Sequence, residues 1–172
     1  MKKQSLAVAG IAAITMLLSG CSILSAIPGL GGPDPRCAVI EKAVADQLDS
    51  SGAPEGSFEA FDVAKADLPG SAKLPSATCS YRFTSDTEGT AYFGFYLTKD
   101  DAREDAVGAA LTSAGFADGG GDGQHLWSSP PADDGSHVIV SLSPIEDAGI
   151  DGDEAFLEAL GKDGDIITVL FA

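Results

Sequence analysis

The pattern of apolar residues predicts an α+β domain: a mostly antiparallel sheet of about five strands packed against two to three helices, in the order α-β-β-α-β-β-α-β. Three observations predict it. Apolar residues alternate with polar ones over 79–84 and again over 91–97, with turn-forming residues between, which is the period of paired strands. Apolar residues recur every three to four positions over 37–48 and 102–114, the period of a helix face. The run 166–171 is apolar almost throughout, as expected of a strand buried on both sides.

Each element has its own punctuation. Asp34 can cap a first helix, Pro35 fits a first turn where a missing N–H costs nothing, and Gly52 follows the end. Cys37, Ile40, Val44 and Leu48 form the apolar stripe of that helix. From 52 to 76 the pattern is broken by Pro54, Pro69 and Pro75, and Phe58, Phe61, Val63 and Leu68 are expected to pin a long connection to the core. A hairpin follows, Cys79, Tyr81 and Phe83 sharing one face of its first strand. Thr98 with Asp101 reads as a capping box for the second helix, closed by Gly115. Two further strands are expected over 124–129 and 136–143. A short helix over 153–160, capped by Asp151 with Glu154 and ended by Gly161, leads to the last strand. Helices on one face of the sheet bury these stripes most economically. The strand-strand-helix pattern of 79–114 and 124–160 hints at duplication, in pattern only.

The first residues have a different character. Lys2 and Lys3 precede an apolar run over 6–18, too short for a comfortable span of a bilayer, which takes about 20 apolar residues. Such a run fits the apolar region of an export signal. Leu18, Ser19, Gly20 and Cys21 resemble the lipobox of bacterial lipoprotein precursors. The resemblance implies lipid on the Cys21 thiol, cleavage between Gly20 and Cys21, and a chain held by acyl groups at the extracytoplasmic face of the cell membrane. The expected organisation is therefore signal peptide 1–20, lipidated cysteine and tether 21–33, and one globular domain 34–172. Pro28, Gly29, Gly31, Gly32 and Pro33 deny the tether regular structure, and its Ile23, Leu24, Ile27 and Leu30 make it unusually apolar.

Charge and sulfur narrow the function classes. The formal charge is −16, and losing Lys2 and Lys3 with the signal takes it to −18. A surface of that sign repels phosphate backbones and anionic headgroups, which argues against nucleic acid as a partner and leaves the membrane to be reached through the lipid alone. With Cys21 committed to lipid, Cys37 and Cys79 remain, and an oxidising compartment makes a disulfide between them the expectation. Their separation is too wide for a Cys-x-x-Cys redox pair.

No catalytic constellation emerges. Residues 147–158 copy part of a calcium loop, with Asp147, Asp151, Asp153 and Glu158 in ligand positions, but Gly149 replaces the third ligand and Glu154 an apolar residue. His125 and His137 fall on the two strands of the second hairpin and would meet only in one register. No serine lies in a nucleophile elbow, and the glycines of 119–123 lack the lysine of a phosphate loop. No metal or cofactor is expected. The remaining candidate is a binding surface on the outer face of the first hairpin, formed by Arg82, Tyr92 and Tyr96. The sequence thus points to a non-enzymatic binding or interaction domain. Two rivals stand beside it: a carrier of an apolar ligand, which requires a cavity on the order of 300 Å³ or more between sheet and helices, and a small hydrolase or metal-dependent enzyme.

Overall fold

The computed structural model of the chain describes residues 34–171, apart from 53, 88, 121–124, 149 and 151. The signal, Cys21 and the tether lie outside the described residues. Residues 34–172 cluster as one compact unit. Its elements are α1 (Arg36–Ser50), β1 (Gly56–Ala60), β2 (Cys79–Ser85), β3 (Gly89–Tyr96), α2 (Arg103–Ser113), β4 (Ala117–Asp118), β5 (His125–Ser128), β6 (Val138–Pro144), α3 (Glu154–Leu160) and β7 (Asp165–Phe171). The strands form one antiparallel sheet in the order β1-β2-β3-β7-β6-β5-β4.

The α+β class and the antiparallel sheet are as expected, but the sheet has seven strands where about five were expected, and the order is α-β-β-β-α-β-β-β-α-β. The two additional strands, β1 and β4, form the edges. Only Phe58 of β1 is even half-buried, and both residues of β4 are exposed. Edge strands of this kind hold by backbone hydrogen bonds to an existing neighbour and leave no apolar alternation in the sequence. β7 lies at the centre of the sheet as expected, but only Ile167 and Val169 on one of its faces are buried, while Leu170 on the other is exposed.

The expectation that helices cover one face is also corrected. Alternate residues of β3 enter two different cores. Tyr92 and Tyr96 pack with Val107 and Leu111 of α2, whereas Phe95 packs with Ile40 of α1 and with Phe156 and Leu160 of α3. The topology explains this. An α-β-β-β unit occurs twice, and β7 is inserted between the third strands of the two units. Because β3 and β6 are both antiparallel to β7, they are parallel to each other, and the two triplets run outward in mirrored order. The same helix-to-strand connection then places α1 and α2 on opposite faces. The repeated unit begins with a helix rather than ending with one.

The connection 61–78 completes the layer on the α2 side. Val63, Ala66, Leu68, Ala72 and Leu74 are all buried there, two 3-10 turns (Val63–Lys65 and Pro69–Ser71) giving it compact segments. It reaches the sheet at Gly94, where an added Cβ would sit 2.7 Å from Ile167 Cγ2 and 3.1 Å from Ala77 Cβ.

The helix ends are set locally. Asp34 accepts from the Arg36 amide at 3.0 Å, and the Arg36 guanidinium beside it holds the Asp34 carboxyl down at about 2. The Thr98–Asp101 box does not form. Asp100 instead accepts from the Ala102 amide at 3.1 Å, while the Thr98 carbonyl is taken at 3.0 Å by Arg103. At α3 the cap is Asp153, accepting from the Phe156 amide at 2.9 Å, two residues later than the sequence suggested.

Candidate functional site

The surface expected at Arg82, Tyr92 and Tyr96 is not an open one. Tyr92 and Tyr96 are 8% and 3% exposed, because the face they share is covered by α2 and the 61–78 connection. Tyr92 packs between Phe61 and Phe171, and the Tyr96 hydroxyl donates to the Pro75 carbonyl at 2.8 Å. Burial pushes the Tyr96 phenol up to about 12. Arg82 is half-buried, lies over the Phe61 ring and is ion-paired with Glu59 of β1 across the sheet edge. All three make their contacts within the fold.

The histidines do not come together. His125 pairs in register with Leu142, whereas His137 precedes Val138 at the other end of β6, roughly 16 Å away by strand rise. His125 stacks on Trp127 and lies 3.1 Å from Glu104 of α2. Of the calcium-loop residues, Gly149 and Asp151 lie outside the described residues, and Asp153 is occupied as the α3 cap. No cluster of metal-ligating side chains occurs among the described residues.

Cys37 of α1 and Cys79 of β2 are joined in a disulfide. The Tyr81 hydroxyl donates to the Cys37 carbonyl at 2.5 Å, and burial raises its phenol well above the usual range. The disulfide and this hydrogen bond, with Ile40 fully buried below them, fasten the N-terminal half of α1 to the sheet. No residue of the C-terminal half of α1 is buried.

Beneath that C-terminal half opens a cleft of about 800 Å³. Its floor is two cross-strand rows, Phe93–Thr168–Ser141 and Phe95–Ile166–Ser143, contributed by β3, β7 and β6. Val44 and Leu48 of α1 form one wall, and Ile150 with Phe156 of α3 the other. The cleft exists because α1 and α3 pack on each other and α1 on β2, which leaves space over Ser141 and Ser143 of β6 and over the neighbouring β7.

The register gives this face a further property. Its strand positions are Phe58 on β1, Cys79, Tyr81 and Phe83 on β2, and Ala91, Phe93 and Phe95 on β3; then Ile166, Thr168 and Leu170 on β7, Ile139, Ser141 and Ser143 on β6, and Leu126 and Ser128 on β5. None of these is charged, in a chain carrying 26 acidic residues. The charged strand residues Glu59, Arg82, Asp118 and Asp165, and the imidazole of His125, all project from the opposite face. Beyond the cleft Leu126 and Leu170 stay exposed on the same uncharged face, at 37% and 42%.

Sequence reasoning missed a second cluster. Arg103, 7% exposed at the start of α2, is ion-paired with Asp165 of β7, donates to the Thr98 carbonyl, and lies 4.4 Å from the centre of the Tyr96 ring. All its partners are accounted for within the fold, and it tethers the α2 layer to the central strand. The cleft left one sequence signal, the serines and threonine placed among apolar residues in β6 and β7, which is legible only once the register is known.

Comparison with protein-family models, with curated proteins and with solved structures gives no match to this chain.

Proposed function

We propose that this chain is a lipid-anchored binding protein of the cell envelope, without catalytic activity, that carries an apolar ligand in the cleft between α1, α3 and the sheet. The observation that carries the reading is the cleft itself. Its volume of about 800 Å³ falls within the roughly 300–1,000 Å³ of small-molecule sites. Its lining combines apolar side chains, among them Val44, Leu48, Phe93, Phe95, Phe156 and Ile166, with the hydroxyls of the floor and with Asp46, Gln47 and Asp153 at the margin, a mixture that small-molecule sites share. Of the surface expected at Arg82, Tyr92 and Tyr96, the two tyrosines are buried in the core and Arg82 is paired with Glu59 at the sheet edge. The lipobox resemblance supports the anchor, and the acidic surface keeps the domain off anionic headgroups so that the lipid alone sets its distance from the bilayer.

Residues 34–172 contain both cores and make a suitable test protein. Titration with the uncharged fluorophore N-phenyl-1-naphthylamine is expected to give saturable one-site binding with a blue-shifted emission. Thr168→Arg and Ser141→Trp, which fill the cleft from the floor, are each expected to weaken it at least tenfold while the unfolding transition is retained. Absence of saturable binding to the unmodified domain would overturn the carrier reading. The anchor is tested separately: incorporation of labelled palmitate in cells is expected for the natural chain and not for Cys21→Ala.

A further inference from the structure

The geometry points to an uncharged single-chain amphiphile with a hydroxylated head, of the monoacylglycerol type, as the ligand of this cleft. The inference rests on the carrier reading above and goes beyond it by specifying the ligand's polarity. Three observations carry it.

The first is the floor. Ser141, Thr168 and Ser143 are half-buried and adjacent, Ser141 and Thr168 being direct partners across β6 and β7, with Ser143 two residues along the same face. No described residue hydrogen-bonds their hydroxyls, and no fully buried side-chain polar atom among the described residues lacks a partner. The three groups therefore open into the cleft, where each can donate and accept. A saturated hydrocarbon would leave all three without partners once water was displaced, a desolvation penalty without return. A head carrying hydroxyl or ester oxygens would satisfy them.

The second is charge. The floor carries none, and the acidic groups at the margin, Asp46 and Asp153, are already engaged, Asp46 by Lys42 and Asp153 by the α3 cap. An anionic head entering here would meet no free cation among the lining residues and would be repelled by the acidic surface. The uncharged form of the same chain carries no such penalty.

The third is the path of the tail. Phe93, Phe95, Ile166 and Phe156 form the apolar part of the cleft, and the uncharged face continues from it past Thr168 to the exposed Leu170, with Leu126 beyond Ser141. That is room for an extended chain along the sheet beyond the cleft itself.

The test is competition against N-phenyl-1-naphthylamine on residues 34–172, with 1-monolaurin, laurate at pH 8 and dodecyltrimethylammonium as competitors, each below its micelle concentration. Monolaurin is expected to displace the fluorophore at least tenfold more tightly than either charged chain. Shortening it to the ten-carbon ester is expected to cost up to about fourfold per methylene removed. The variant Ser141→Ala/Thr168→Val is expected to weaken monolaurin about tenfold, the loss of two hydrogen bonds, once displacement is corrected for the variant's own affinity for the fluorophore, and to keep the urea midpoint of the unmodified domain, which shows that the fold is intact. Equal displacement by monolaurin and laurate, tighter displacement by the ammonium, or an unchanged monolaurin affinity in the double variant would each overturn the assignment of an uncharged hydroxylated ligand while the carrier reading stands. Failure of the fluorophore itself to bind would overturn both.

Discussion

Cutting the Cys37–Cys79 disulfide tests how the wall of the cleft is held. The bridge spans a sequence separation of 42 and closes a loop containing α1 from Cys37 on, β1 and the connection 61–78. In the chain-entropy model a loop of that size removes roughly 13 cal/mol/K from the unfolded ensemble, which is about 4 kcal/mol at 25 °C. With a urea dependence of about 2 kcal/mol/M, the double variant Cys37→Ser/Cys79→Ser is expected to lose roughly 2 M from its midpoint. Beyond its packing on α3, α1 is attached to the sheet mainly at its N-terminal end, Ile40 being its only buried residue and the Tyr81 hydrogen bond landing on the Cys37 carbonyl itself. Because Val44 and Leu48 of the same helix line the cleft, the variant is also expected to bind the naphthylamine probe more weakly in the absence of urea. The assays are urea unfolding followed by Trp127 fluorescence, which reports the core on the α2 side, and probe titration. A midpoint lowered by less than about 0.5 M, or unaltered probe affinity in a destabilised domain, would refute the view that the bridge is what holds α1 over the sheet.

Three other outcomes follow from packing and charge. Gly94→Ala places a methyl 2.7 Å from Ile167 and 3.1 Å from Ala77, so a loss of about 1–3 kcal/mol is expected from overpacking and is read from the same urea curves. Arg103→Met strands the Asp165 carboxylate near the start of the central strand; breaking a largely buried pair costs about 3–5 kcal/mol, and the double variant Arg103→Met/Asp165→Leu is expected to recover most of it in a double-mutant cycle. The buried phenols predict an alkaline limit: Tyr96 ionises only near 12 and Tyr81 is raised too, whereas unfolded tyrosine ionises from about 10. The folded state thus holds these protons more tightly, so their contribution is intact below pH 10 and is lost as pH rises towards 12, measurable as a falling midpoint alongside the 295 nm phenolate absorbance.

What could be read from the chain alone were the features encoded by neighbours in sequence. The alternation around Tyr81 and Phe93, the glycines 52, 115 and 161 that end helices, and the apolar β7 each state their local structure through side-chain period or backbone freedom, and all appear where expected. The pairing of Cys37 with Cys79 followed from elimination of the third cysteine. The edge strands β1 and β4 were not legible, because they are short and held mainly by main-chain bonds to β2 and β5, which demand no alternation of side chains.

Which face of β3 meets solvent was decided only by the assembled sheet. Tyr92 and Tyr96 alternate with Phe93 and Phe95, and nothing local distinguishes a half-exposed strand from one enclosed between two layers. That choice depended on β7 entering between β3 and β6, which made the two triplets mirror each other and sent α1 and α2 to opposite sides. The same event produced the cleft, since α1 and α3, packed on each other on one face, leave space over β6 and the neighbouring β7. Residue order fixed the strands and helices through short-range period, while the binding floor of Ser141, Ser143 and Thr168 arose from long-range register, a property of paired chains that no single segment carries.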